Sequence, residues 1–130
     1  MKKSILIVDD NEDDIMFMKY ALAKSGRQVQ IMTALNGETA LDLLLSGQNM
    51  PALILLDLKM PGIGGMETLR EIRADARLNA IPVVIVTSSS LKADEDNARA
   101  VGADFYLQKA LGLHQFTEDI KSVLGRWLPD

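Results

Sequence analysis

The sequence predicts an α/β fold, a five-stranded parallel sheet held between two layers of helices. Three observations carry that expectation. Short continuous apolar runs recur at Ile5-Leu6-Ile7-Val8, Leu53-Ile54-Leu55-Leu56, Val83-Val84-Ile85-Val86 and Phe105-Tyr106-Leu107. Runs without polar alternation read as strands buried on both faces. Segments of helical periodicity separate them, so strand and helix alternate five times, which favours right-handed parallel crossovers. Finally, the runs lead into reactive polar residues: Asp9 and Asp10, then Asp57, then Thr87, then Gln108 and Lys109. Parallel strands share one C-terminal edge, and open α/β sheets bind ligands there.

The elements follow in order. The first strand spans about 4–9. Asn11 is a plausible N-cap for the first helix, with Glu12, Asp13 and Asp14 in a first turn where the helix dipole favours acids. The acids read as a solvated face that adds negative potential. Ile15, Met18 and Leu22 form its apolar stripe and Gly26 stops it. A second strand at 29–34 alternates, as a less buried strand would. Asn36 caps a second helix with Ala40, Leu41, Leu44 and Leu45 inward. Pro51 opens the third strand, where a missing N–H is tolerated. A loop from Leu58 to Gly65 precedes a third helix with Met66, Leu69 and Ile72 inward. Pro82 opens the fourth strand. Ser88-Ser89-Ser90 leads into a polar fourth helix whose thin apolar side is Leu91, Ala98 and Val101, ended by Gly102. After the fifth strand, a last helix aligns Leu113, Phe116, Ile120, Leu124 and Trp127, the tryptophan as a packing anchor.

Length and composition bound the function. The 130 residues suit one domain, 1–130, and the 48% hydrophobic content suffices for a core without staples. The chain has no cysteine, which excludes disulfides, thiolate nucleophiles and zinc–thiolate sites. The basic start Met1-Lys2-Lys3 is followed by too short an apolar run for a signal peptide or membrane span, so a cytoplasmic protein is expected. With 14 basic against 18 acidic residues, net −4, no nucleic-acid face is expected.

At the convergent edge, Asp9, Asp10 and Asp57 would bring up to three negative charges together. Uncompensated, their repulsion would raise at least one pKa sharply. A hard divalent cation resolves this, and few carboxylates with room for waters and phosphate oxygens favour Mg²⁺. Lys109 adds a point positive charge and Thr87 a hydroxyl. These are the parts needed for phosphoryl transfer to a carboxylate.

The motifs Val8-Asp9-Asp10, Asp57-Leu58-Lys59-Met60-Pro61 through Gly65, Val86-Thr87, Gly102-Ala103-Asp104-Phe105-Tyr106 and Lys109 resemble the receiver domain of two-component response regulators across the whole chain. The resemblance implies a flavodoxin-like doubly wound sheet of strand order 2-1-3-4-5. It implies that Asp57 is the phosphoacceptor. Asp10, Asp57 and the Lys59 carbonyl would ligate Mg²⁺, with Asp9 acting mainly through water. Lys109 would pair with Asp57 and then with the phosphoryl group. Thr87 would bond that group, aided by the Ser88 N–H, and Tyr106 would swing inward as Thr87 moves. Lys59, lying over the phosphoryl group, would slow its hydrolysis. The protein would catalyse its own phosphorylation and slow dephosphorylation, yet work as a signalling protein rather than an enzyme.

Two segments, Asn11-Glu12-Asp13-Asp14 and Lys109 through Phe116, are similar to stand-alone receivers paired with phytochrome-type histidine kinases. That likeness implies a sensor histidine kinase as partner, no output domain, and a homodimer through the fourth helix, fifth strand and fifth helix. Ala110 stands where receivers usually carry proline before a cis peptide, a bond that costs about 3 kcal/mol before other residues. A haloacid-dehalogenase-type phosphatase would want a second aspartate two residues after the nucleophile, where Lys59 stands. A receiver-like binding module would not need Asp57, Thr87 and Lys109 together. His114 reads as an ordinary surface histidine.

Overall fold

The structure, a computed structural model, describes residues 3–129. The apolar runs form strands β1 (Lys3–Val8), β2 (Val29–Ala34), β3 (Leu53–Leu56), β4 (Val83–Thr87) and β5 (Phe105–Gln108). They make one parallel sheet in the order β2-β1-β3-β4-β5, as the sequence predicts. Helices α1 (Glu12–Lys24), α2 (Gly37–Leu45), α3 (Gly64–Ala74), α4 (Lys92–Val101) and α5 (Leu113–Trp127) fill the crossovers.

Side chains alternate across the pleat, so each strand feeds two cores. On one face Ile5, Ile7, Leu53, Leu55, Val84 and Val86 pack against Ile15, Met18 and Leu22 of α1 and Phe116, Ile120 and Leu124 of α5. On the other, Leu6, Val8, Ile54, Leu56, Val83 and Ile85 meet Ala40 and Leu44 of α2, Leu69 and Ile72 of α3 and Ala98 of α4. Both faces are covered, which is why the three central strands are apolar without a break. Edge strand β2 is only partly buried along most of its length.

Both predicted caps are present. Asn11 Oδ1 accepts the Asp14 N–H at 3.0 Å and Asn36 Oδ1 accepts the Thr39 N–H at 2.7 Å. Trp127 is partly buried, its ring 5.7 Å from that of Phe105. Three predicted inward leucines lie outside instead: Leu45 is 42% exposed, Leu91 62% and Leu113 37%. Leu45 is the last residue of α2, Leu113 is the first of α5 and Leu91 immediately precedes α4. At helix ends the apolar stripe runs past the sheet it covers.

Register brings the functional edge level. Val8 pairs with Leu56 across β1 and β3, and Thr87 pairs with Gln108 across β4 and β5. The pairing continues one residue further. Asp9 N–H donates to the Ala34 carbonyl at 3.1 Å and Asp57 N–H to the Val8 carbonyl at 2.9 Å. Main-chain hydrogen bonds therefore fix the backbone of both aspartates.

Candidate phosphoryl-transfer site

Asp57 leaves β3 into the loop that opens α3. Its Oδ1 accepts the Lys59 N–H at 3.3 Å. Gly65, at the start of α3, donates its N–H to the Leu58 carbonyl at 3.0 Å. A Cβ on Gly65 would stand 2.1 Å from the Asp57 carbonyl oxygen, so α3 lies directly on the Asp57–Leu58 backbone. Only glycine permits that approach.

Asp9 is fully buried. Its Oδ1 accepts the Asn11 N–H at 3.0 Å, while Oδ2 takes Lys109 Nζ at 2.6 Å. Asp10 beside it is exposed. One oxygen from each of Asp9, Asp10 and Asp57 lies within 4.8 Å of the others, so the sequence-predicted carboxylates do converge.

Lys109 opens a short 3-10 turn, Lys109–Leu111, and its side chain is 11% exposed. No cis peptide occurs among the described residues. Its ammonium meets Asp9 at 2.6 Å, Asp14 at 2.9 Å and Asp57 at 3.4 Å. Burial alone would lower the Lys109 pKa, but hydrogen bonds to Asp9 and Asp14 and the charges of Asp57 and Asp9 carry it above the ordinary lysine value. For Asp9 the balance is opposite. Burial pushes its carboxyl up, and the hydrogen bonds from Lys109 and Asn11 only partly oppose that rise.

Asp14, which the sequence places on a solvated first turn, also takes part. Its signal was its place, three residues after the Asn11 cap on the turn that faces the strand ends. Ser89 was also missed. Thr87 is fully buried, and its Oγ1 accepts the Ser89 N–H at 3.3 Å. Ser89 Oγ donates to Asp94 Oδ2 on α4 at 2.5 Å, and the buried Tyr106 hydroxyl donates to the Ser89 carbonyl at 3.3 Å. Tyr106 thus occupies the inward position, and Ser89 ties the end of β4 to both α4 and β5. Ser88 and the Lys59 side chain are exposed at the rim.

The donor set fits a hard dication. Three hard oxygen donors converge, a single ammonium neutralises part of their charge, and burial raises the pKa of one of them, Asp9. A carboxyl whose pKa is raised on folding costs stability where it is ionised, and that cost fades as the pH falls through the raised value towards the ordinary one. Asp9→Asn removes one of the three charged oxygen donors that would face such a cation. Magnesium should then add less stability to the variant than to the wild type. Urea melts with and without Mg²⁺ check this, and an equal gain from Mg²⁺ in the two proteins would contradict the assignment.

Comparison with known proteins agrees with this fold. The family model for the response regulator receiver domain matches residues 5–121. The polar-differentiation response regulator DivK of Brucella anthropi is 36% identical over 125 residues, 96% of this chain and 98% of that protein. The phosphorylated cyanobacterial phytochrome response regulator RcpA superposes with a TM-score of 0.89 at 32% identity, over 98% of this chain and 95% of that one. The Mn²⁺-bound response regulator Rcp1 superposes with a TM-score of 0.85 at 29% identity, over 97% and 94% of the two chains. Those proteins share the fold of this chain, and the chain belongs to the response regulator receiver domain family.

Proposed function

We propose that this receiver accepts a phosphoryl group on Asp57 from the phosphohistidine of a sensor histidine kinase, phytochrome-type kinases being the leading class. The observation that carries this is the Asp57 carboxylate itself. It is 8% exposed, anchored by the Lys59 N–H, and lies 3.4 Å from a lysine ammonium beside two further carboxylates. In the step, an Asp57 oxygen bonds to phosphorus as the phosphorus–nitrogen bond breaks, and the electron pair returns to the imidazole. Lys109 stabilises charge on the phosphoryl oxygens. Thr87 and the Ser88 N–H offer further hydrogen bonds, Asp9 holds Lys109 in place, and the exposed Lys59 side chain shields the product from water. Asp9, Asp10, Asp57 and the Lys59 carbonyl would hold Mg²⁺, which supplies charge neutralisation between the carboxylates and the incoming phosphate. The Mn²⁺ named for Rcp1 and the phosphorylated state named for RcpA support this assignment.

The reaction serves signalling rather than turnover. A Thr87 drawn to a phosphoryl group releases the Ser89 N–H, and through Ser89 the change reaches Tyr106 and α4. The face of α4, β5 and α5 is then the output surface, with a second copy of the chain as its expected partner. Light scattering should show a dimer that responds to phosphorylation; a strict monomer in both states would remove that part.

Acetyl phosphate with Mg²⁺ tests the acceptor. Wild type should gain one phosphoryl group and Asp57→Asn none. Equal labelling of the two would overturn the assignment.

A further inference from the structure

We infer that Asp14 is a positioning residue that tethers Lys109 away from Asp57, and so limits how tightly the site takes up a phosphoryl group. The inference rests on the acceptor assignment above and assigns a function to a contact that assignment does not use. An ammonium has three N–H donors. In this site each faces a carboxylate, at 2.6 Å from Asp9, 2.9 Å from Asp14 and 3.4 Å from Asp57. Charge-assisted bonds between ammonium and carboxylate are about 2.7–2.9 Å long. Asp9 and Asp14 therefore hold two of the three donors at full strength, and the acceptor has only the long third contact.

Asp14 is also built to let go. It stands outside the group of three carboxylates that converge within 4.8 Å, so it is no part of the cation cluster. Its backbone is held rigidly, since its N–H caps onto Asn11 Oδ1 at 3.0 Å. Its side chain is 39% exposed, against 0% for Asp9 and 8% for Asp57. Water can replace the ammonium on Asp14 at little cost, whereas Asp9 would be left ionised and dry. When a phosphoryl dianion arrives on Asp57, Lys109 must shift towards it to bring the long third contact to full strength. The Asp14 contact is the one that can be exchanged. Until it is, Asp14 both restrains Lys109 and repels the incoming charge.

Neutralising Asp14 with an isosteric amide frees the ammonium for the acceptor. Asp14→Asn is expected to bind beryllofluoride, a phosphoryl mimic, about fivefold more tightly at saturating Mg²⁺, the size of a partly exposed ion pair. It should also label faster with acetyl phosphate by a similar factor. Asp13→Asn removes the same charge from the exposed neighbouring position and should change either value less than about twofold. Asp14→Glu, which keeps the charge, should stay near wild type. Magnesium binding without beryllofluoride gives a reading independent of the phosphoryl group. A freed Lys109 competes for Asp57 and Asp9, so Mg²⁺ affinity should fall in Asp14→Asn and not in Asp13→Asn. Calorimetry measures both ligands on the folded full chain. Equal effects of Asp13→Asn and Asp14→Asn would reduce Asp14 to background charge and overturn the tether. Weaker beryllofluoride binding in Asp14→Asn would also overturn it, by making Asp14 a support for Lys109. Failure of the wild type to bind beryllofluoride would strike the acceptor assignment first, and the tether with it; the Mg²⁺ comparison tells these failures apart.

Discussion

Lys109→Ala should slow phosphoryl transfer to Asp57 by on the order of a hundredfold, the usual cost of deleting a preorganised charge donor from a shielded site. The same substitution should destabilise the metal-free fold. Its side chain is 11% exposed and meets three carboxylates, so removal leaves the fully buried Asp9 carboxylate with the Asn11 N–H as its remaining hydrogen bond among the described residues. Breaking a buried pair costs about 3 kcal/mol even where the stranded acid can take up a proton. Mg²⁺ should recover much of that loss, since a dication can replace the missing ammonium. The pH dependence has a defined sign. Pairing raises the folded Lys109 pKa, so its stabilisation is complete below the ordinary lysine value and disappears as the pH rises through the raised one. Urea denaturation of wild type across the alkaline range should show that loss, and Lys109→Ala should lack it. Transfer at the wild-type rate in Lys109→Ala would exclude the lysine from the chemistry.

Gly65→Ala is the second large effect. The added methyl would lie 2.1 Å from the Asp57 carbonyl oxygen and 2.5 Å from Leu58 Cα, both main-chain atoms that no rotamer change can move. Either α3 backs away from the sheet or the Asp57 backbone shifts. Overpacking of this kind costs about 3 kcal/mol, and the acceptor would leave its place beside Lys109. Stability and labelling should therefore fall together. Gly125 in α5 supplies the control, because a Cβ there meets nothing within 4 Å. Gly125→Ala should stabilise by up to about 1 kcal/mol, as expected for alanine in a helix interior, and leave labelling unchanged. A Gly65→Ala protein with normal stability and labelling would show that α3 does not fix the acceptor.

The two variants bear on what the chain reveals before it is folded. Continuous apolar runs such as Leu53-Ile54-Leu55-Leu56 can be buried only with helices on both faces, and parallel strands deliver their C-terminal residues to one edge. Asp9, Asp57 and Lys109 were therefore legible as neighbours, and Thr87 as a residue of the same sheet edge. Gly65 was legible as part of a loop, but not as the point where a helix rests on the acceptor's backbone, because close approach depends on layer spacing. Asp14 was misjudged for a related reason. An acid in a first helical turn has an adequate local explanation in the dipole, and its ion pair spans 95 residues of sequence. Tyr106 shows a third limit. Its place on β5 follows from pattern, whereas the inward ring depends on a carbonyl offered by Ser89 on another loop. Leu45, Leu91 and Leu113 mark a fourth, since periodicity continues past the point where a helix leaves the sheet.

The central claim is that Asp57 and no other residue takes the phosphoryl group from phosphohistidine. Borohydride reduces an aspartyl phosphate to homoserine, so it marks the acceptor chemically. The chain should be incubated with a phosphorylated histidine kinase and Mg²⁺, reduced, and sequenced by mass spectrometry. Homoserine at position 57 is the expected result. Homoserine at Asp9 or Asp10, or a phosphoryl group carried stably on Thr87, Ser88 or His114, would contradict it.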